Sequence, residues 1–212
     1  MNLRPEAQNN TGSGIQMYQI IRCRNCPNAV IDLDQITAAC TEIFRSTDFT
    51  NKQLERLGST KPKQHHIFQV GIAGCPNSCS QPQIKDFGLQ GQAVPVVGDG
   101  CTACGLCVSA CPDQAIVLGE EGPCIVESQC LNCGKCAKIC PTGAIYTGTT
   151  GYRVIRGGKL GRRPQLAREV YSLTNQEGAV QCLRETLDLL LWVGKPGERL
   201  GALLERIEKG SS

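Results

Sequence analysis

Aromatic residues are scarce: Phe, Trp and Tyr make up 4% of 212 positions. Nucleobase stacking needs such rings, and nucleic-acid binding needs a strong basic field, whereas the formal charge here is only +3. Both deficits argue against a nucleic-acid partner. Long apolar runs are missing too. The longest, Leu187 to Val193, is far too short to span a bilayer, so no membrane insertion is expected. The opening stretch MNLRPEAQNNTGSG has no apolar core. Residues 1–17 therefore read as a flexible tail and not as a secretory leader. Histidine is nearly absent. His65 and His66 are adjacent, and at a strand entry they would face opposite sides, which disfavours joint ligation of one ion.

Cysteine is what the chain has in excess, with 15 residues. In a chain without a leader this usage points to a reducing, anaerobic cytoplasm. Eight of them form two copies of C-x2-C-x2-C-x3-C-P, the bacterial ferredoxin pattern for two 4Fe-4S clusters. The first copy is Cys101, Cys104, Cys107 and Cys111 before Pro112; the second is Cys130, Cys133, Cys136 and Cys140 before Pro141. In this pattern the fourth cysteine ligates the other cluster. The expected ligand sets are therefore Cys101, Cys104, Cys107 and Cys140 for one cluster, and Cys130, Cys133, Cys136 and Cys111 for the other. Three thiolates on a tight loop reach three corners of a cube, and the fourth must come from elsewhere. Gly105 and Gly134 let the backbone pass close to the clusters. A disulfide framework or paired zinc knuckles fit this tandem spacing poorly.

Along the rest of the chain, Tyr18–Ile21 and His66–Ile72 read as strands. A helix capped by Asp32 or Asp34 places Ile36, Ala39, Cys40 and Ile43 on one apolar face, so Cys40 belongs to the core. Residues 51–57 suit a short helix, and the Gly/Pro-punctuated residues 90–98 a linker. Tyr152–Ile155 suits a strand. Residues 165–172 and 177–192 suit helices, the second with Cys182 beside its apolar stripe. Pro196 suits the first turn of a last helix, and residues 209–212 a frayed end. Cys124 has no assigned role.

Cys23, Cys26, Cys75 and Cys79 remain. C-x2-C with C-x3-C can hold zinc or a third cluster, and spacing alone does not choose. The surroundings of the second pair do. FQVGIAGCPNSC followed by KDFGLQG resembles the sulfite and nitrite reductase family, as do CPNAVIDLD and GYRVIRGGKLGRRPQLA. In that family GC-x3-C supplies two ligands of a 4Fe-4S cluster coupled to siroheme. The resemblance implies an α+β fold: a single reductase-like half-module over 18–98 and 150–208, with an inserted 2(4Fe-4S) ferredoxin domain over 99–149. It implies that Cys23, Cys26, Cys75 and Cys79 hold a third 4Fe-4S cluster. Cys79 would be the thiolate that bridges cluster and siroheme iron. Family members usually space the first pair C-x5-C; here Ile20 stands where the first cysteine would fall and Cys23 is the nearest replacement. Lys159, Arg162 and Arg163 could bind a siroheme carboxylate or a small inorganic anion such as sulfite, or form a solvated basic turn.

The implied function is a redox protein whose ferredoxin clusters, charged by an electron-donor protein, feed a siroheme centre reducing sulfite or nitrite. The alternative is a siroheme-free, three-cluster electron carrier serving another oxidoreductase. A half-module also implies a homodimer or a related second subunit. Three clusters at about −2 each would turn the formal +3 into about −3.

Overall fold

A computed structural model describes residues 6–8, 14–24 and 26–210. The fold is α+β. Strands β1 (Glu6–Gln8), β2 (Tyr18–Arg22), β3 (Phe68–Ala73), β4 (Phe87–Val97), β7 (Ile145–Arg156) and β8 (Arg168–Thr174) form one mixed sheet in the order β1-β2-β3-β4-β7-β8. β5 (Ile116–Gly119) and β6 (Gly122–Ile125) form a separate two-stranded ribbon. The strand pairs β2–β3 and β3–β4 are parallel; the other pairs are antiparallel.

One sheet face is apolar. Ile20, Phe68, Val70, Ile72, Phe87, Leu89 and Val154 are buried there beneath α1 (Leu33–Ser46), α2 (Phe49–Leu57) and α5 (Gln176–Val193). Asp32 caps α1 by accepting from the Asp34 and Gln35 N–H groups, each at 2.9 Å. Cys40 and Cys182 pack in this core as small apolar side chains. Burial pushes the Cys40 thiol up to about 12. α6 (Leu200–Gly210) closes the core with Leu200 and Leu203. Arg199, just before it, holds the buried carboxylate of Asp86 at the start of β4; Asp86 also accepts the Gln69 N–H at 2.9 Å.

β4 and β7 pair from Phe87↔Arg156 to Val97↔Ile145, and residues 98–144 make an excursion between them. That excursion carries α3 (Leu106–Ala110), the β5–β6 ribbon and α4 (Lys135–Ile139). Its small core is Cys107, Ile116 and Cys136, packed with Ile145 of β7.

Several expectations are corrected. Residues 90–98 are not a linker but most of β4. Pro95 is tolerated because the register shifts between Val94 and Pro95, a bulge that spares a ladder donor. Gly91 is needed because a Cβ there would lie 2.5 Å from the Gly74 carbonyl oxygen. Residues 165–172 are not a helix: the β-prone run REVYSLT adds β8 to the edge of β7. Pro196 precedes α6 instead of opening it. The two histidines lie on a 3-10 turn, Gln64–His66, with their rings edge to face at 4.2 Å. Within the expected tail, Glu6–Gln8 pairs with β2 and Met17 is fully buried. Residues 1–5 and 9–13 of that tail, and the last two positions of the expected frayed end, lie outside the described residues.

Candidate redox centres

The excursion sorts its eight ferredoxin-type cysteines into two sets. Cys101, Cys104, Cys107 and Cys140 line one small cavity, closed by Leu106, Leu118 and Ile145. Cys111, Cys130, Cys133 and Cys136 line another, closed by Pro95, Ile116 and Ile125. Each cavity thus takes three cysteines from one sequence motif and the fourth from the other. The local cause is the short helix inside each motif. Gly105 and Gly134, both at positive φ, turn the chain into α3 and α4. Cys111 and Cys140 then leave those helices in extended conformation.

The thiol electrostatics follow the same grouping. Burial raises Cys107, and its neighbours Cys101 and Cys104 add to the rise. Burial raises Cys130, helped by Cys133 and by Cys111 from the other motif. Cys136 is pushed up to about 11, first by burial and then by Cys133 and Cys130. Cys140 goes the other way, to about 7, because backbone N–H groups led by Ile145 stabilise its thiolate. The Ile145 N–H lies 3.4 Å from Cys140 Sγ.

The remaining four cysteines lie at the carboxyl ends of the parallel strands β2 and β3. The Cys23 N–H donates to the Ile72 carbonyl at 3.1 Å, so the ladder continues one residue past β2. The Val30 N–H donates to the Gly74 carbonyl at 2.8 Å, tying the loop after Cys26 to the loop that begins at Cys75. Cys75 is raised by burial, and repulsion from Cys26, Cys23 and Cys79 contributes. The four thiols therefore share one neighbourhood. Cys23 and Cys75 are buried and Cys79 is exposed. Asn77 Nδ2 donates to Cys79 Sγ at 3.1 Å.

This donor chemistry fits polynuclear iron–sulfur groups. Two quartets each ring a cavity, all 12 thiols are free, and soft thiolates are the ligands such clusters take. Among the described residues, no three His, Cys, Asp or Glu side chains group as a single metal ion requires.

The excursion also docks on the main sheet. Ala93 on β4 bridges to Cys133, and its N–H donates to the Asn132 carbonyl at 2.7 Å. Lys138 Nζ donates to the carbonyl of Pro27, the residue after Cys26, at 3.3 Å. The Cys111/Cys130/Cys133/Cys136 cavity is therefore the one beside the third cysteine set. The other lies at the far end, where Cys101 and Cys104 are exposed.

The basic turn packs on the segment after Cys79. A Cβ on Gly158 would strike the Gln83 and Lys85 carbonyls, and the Ala167 N–H donates to the Gln83 carbonyl at 2.7 Å. Lys159 does not project from this turn: it is largely buried and its ammonium lies 3.0 Å from Glu205 of α6. Arg162 and Arg163 are exposed. Sequence reasoning missed Gln90, Gln92, Ser78 and Asn132, all of which bond in or onto the cysteine loops. Two glutamines at alternate positions were the available signal, obscured by reading their segment as a linker.

Comparison with known proteins adds a lineage. The family model for the nitrite and sulphite reductase 4Fe-4S domain matches residues 21–208. A coenzyme F420-dependent sulfite reductase of Methanocaldococcus jannaschii is 39% identical over 139 residues, covering 65% of this chain and 20% of that protein. One of the subunits of an anaerobic sulfite reductase of Salmonella typhimurium is 35% identical over 78 residues, covering 36% of this chain and 22% of that one. The chain thus spans about a fifth of the length of the curated relatives it matches. The crystal structure of dissimilatory sulfite reductase I superposes with a TM-score of 0.61 at 16% identity, over 91% of this chain and 50% of that chain, a likeness of fold.

Proposed function

Because this chain belongs to the nitrite and sulphite reductase 4Fe-4S domain family, we propose that it is an iron–sulfur redox protein serving the reduction of sulfite, or of nitrite. In this reading the ferredoxin-type domain expected over 99–149 is inserted as the excursion of residues 98–144, together with the start of β7. Cys101, Cys104, Cys107 and Cys140 hold one 4Fe-4S cluster; Cys111, Cys130, Cys133 and Cys136 hold a second. Cys23, Cys26, Cys75 and Cys79 hold a third, and Cys79, as the exposed thiolate of its set, stands where siroheme would be joined to it. The observation that carries the reading is the sorting of eight cysteines into two crossed quartets, one of them seated against the third set. When bound, the clusters supply one-electron storage and siroheme supplies the iron at which the anion is reduced.

The chain's own residues supply the rest. Backbone N–H groups around Cys140 favour its ligating thiolate. The Asn77 amide offers a hydrogen bond to Cys79 sulfur, one of the factors that tune cluster potential. Arg162 and Arg163 are the exposed cations of the basic turn and suit a carboxylate or sulfite. Lys159, engaged by Glu205, would anchor the turn to α6.

The siroheme-free carrier is the second reading, and the commitment of Lys159 to Glu205 favours it. Visible absorbance of anaerobically purified protein from a siroheme-making host separates the two. Sharp Soret and red bands over a broad iron–sulfur shoulder support the reductase. The shoulder alone, with three clusters present, leaves the carrier.

A partner belongs to the proposal. β8 is one of the two outer strands of the sheet and exposes Tyr171 and Leu173, with Leu160 and Leu166 exposed on the segment leading to it. This surface suits a second copy or a related subunit, and the exposed end at Cys101 and Cys104 suits an electron-donor protein. Among the described residues no helix is long and apolar enough to cross a membrane. The content of 15 cysteines suits a reducing cytoplasm.

A further inference from the structure

Gln90 and Gln92 occupy alternate positions of β4, so their side chains leave the same face of the sheet. They are only 3% and 7% exposed. Buried amides persist where they find hydrogen bonds, and each of these reaches the middle of a different cysteine loop. Gln90 Nε2 donates to Ser78 Oγ at 2.6 Å, and Ser78 stands between Cys75 and Cys79. Gln92 Oε1 accepts from Asn132 Nδ2 at 3.2 Å, and Asn132 stands between Cys130 and Cys133. Ser78 and Asn132 share a rare backbone state, with φ of +57° and +55°. Such left-handed residues persist where the surroundings hold them. Here the holding groups come from one strand. Gln90 is braced in turn by Arg153 Nη1 at 3.3 Å, and Arg153 pairs with Glu169 on β8.

We propose that Gln90 and Gln92 are positioning residues. Through them β4 acts as a ruler that fixes the Cys75–Cys79 loop against the Cys130–Cys133 loop. Alternate residues of an extended strand are about 7 Å apart, so the two clamps set a short separation and a single relative orientation. Apolar side chains would fill the same space without specifying either loop. This inference rests on the proposal that both cysteine sets carry clusters.

The test uses anaerobically prepared holo-protein and compares wild type with Gln90→Met, Gln92→Met and Asn132→Gly. Methionine keeps the length of glutamine and removes the amide. Glycine keeps the left-handed backbone at 132 and removes the other half of that bond, so it decides the matter if Gln92→Met assembles poorly. The readouts are iron content, the midpoint potential of each cluster, and the magnetic interaction between neighbouring clusters in the EPR spectrum of fully reduced protein. Expected are unchanged iron and a weakened interaction, seen as narrower lines and severalfold slower relaxation, in Gln92→Met and Asn132→Gly. Gln90→Met should shift the potential of the centre at Cys75 and Cys79 and leave the Cys101 centre unmoved. A wild-type interaction and wild-type potentials in all three fully loaded variants would overturn the ruler. Wild-type protein that carries only two clusters would instead overturn the reading beneath it.

Discussion

Single residues separate structural from ligand cysteines. Cys40 is fully buried, and its thiol is pushed up to about 12 by burial alone. In holo-protein at pH 8, iodoacetamide should modify the exposed Cys124 first and reach Cys40 and Cys182 only after unfolding; peptide mapping checks the order. The same burial sets a pH dependence. Because the folded pKa of Cys40 is raised, its contribution to stability is whole below the unfolded thiol pKa near 8.5 and is lost as pH rises towards 12. The urea midpoint should therefore fall between pH 9 and 11, and fall less in Cys40→Ala; equal slopes in the two proteins would refute the assignment. Asp86 is the other telling residue. Arg199→Leu strands its buried carboxylate and should cost about 3–5 kcal/mol at pH 7. That deficit should shrink as pH falls, because the stranded carboxyl, its folded pKa raised, can then take a proton. A denaturant midpoint unchanged at pH 7 would show that the pair is dispensable.

At the scale of elements, the crossed quartets make a sharp prediction. Cys140→Ser alters the second sequence motif, yet it should damage the cluster held by Cys101, Cys104 and Cys107. EPR of the reduced variant should show the Cys130 centre retained; loss of that centre instead would mean uncrossed ligation. The expectation of crossing comes from the spacing of the two tandem motifs, and the grouping of the eight cysteines around two pockets agrees with it. Strand β2 and helix α1 were legible too, the helix through Asp32 and the periodic Ile36, Cys40 and Ile43. β4 and β8 were not. Gly91 and Pro95 look like linker punctuation. Only the approach of the Gly74 carbonyl and a bulge at Pro95, both tertiary facts, make them compatible with a strand. Residues 165–172 resemble a helix until β7 offers an edge on which Arg168–Thr174 can pair. The seam between the excursion and the sheet, made by Ala93, Asn132 and Lys138, joins residues distant in sequence and has no local signature.

On the scale of the whole molecule, the chain is one mixed sheet with a cysteine-rich excursion, residues 98–144, built between β4 and β7. The exposed edge at β8 predicts association. Light scattering of holo-protein should report a dimer, or a heteromer when a related subunit is present, and a stable monomer in both preparations would count against it. The central claim is that three cysteine sets hold three clusters, two in the excursion and one at the ends of β2 and β3. Iron, acid-labile sulfide and zinc analysis of anaerobically purified protein tests it most directly. Three clusters predict about 12 iron and about 12 sulfide per chain, with one further iron if siroheme is bound; about 8 iron with stoichiometric zinc would contradict them.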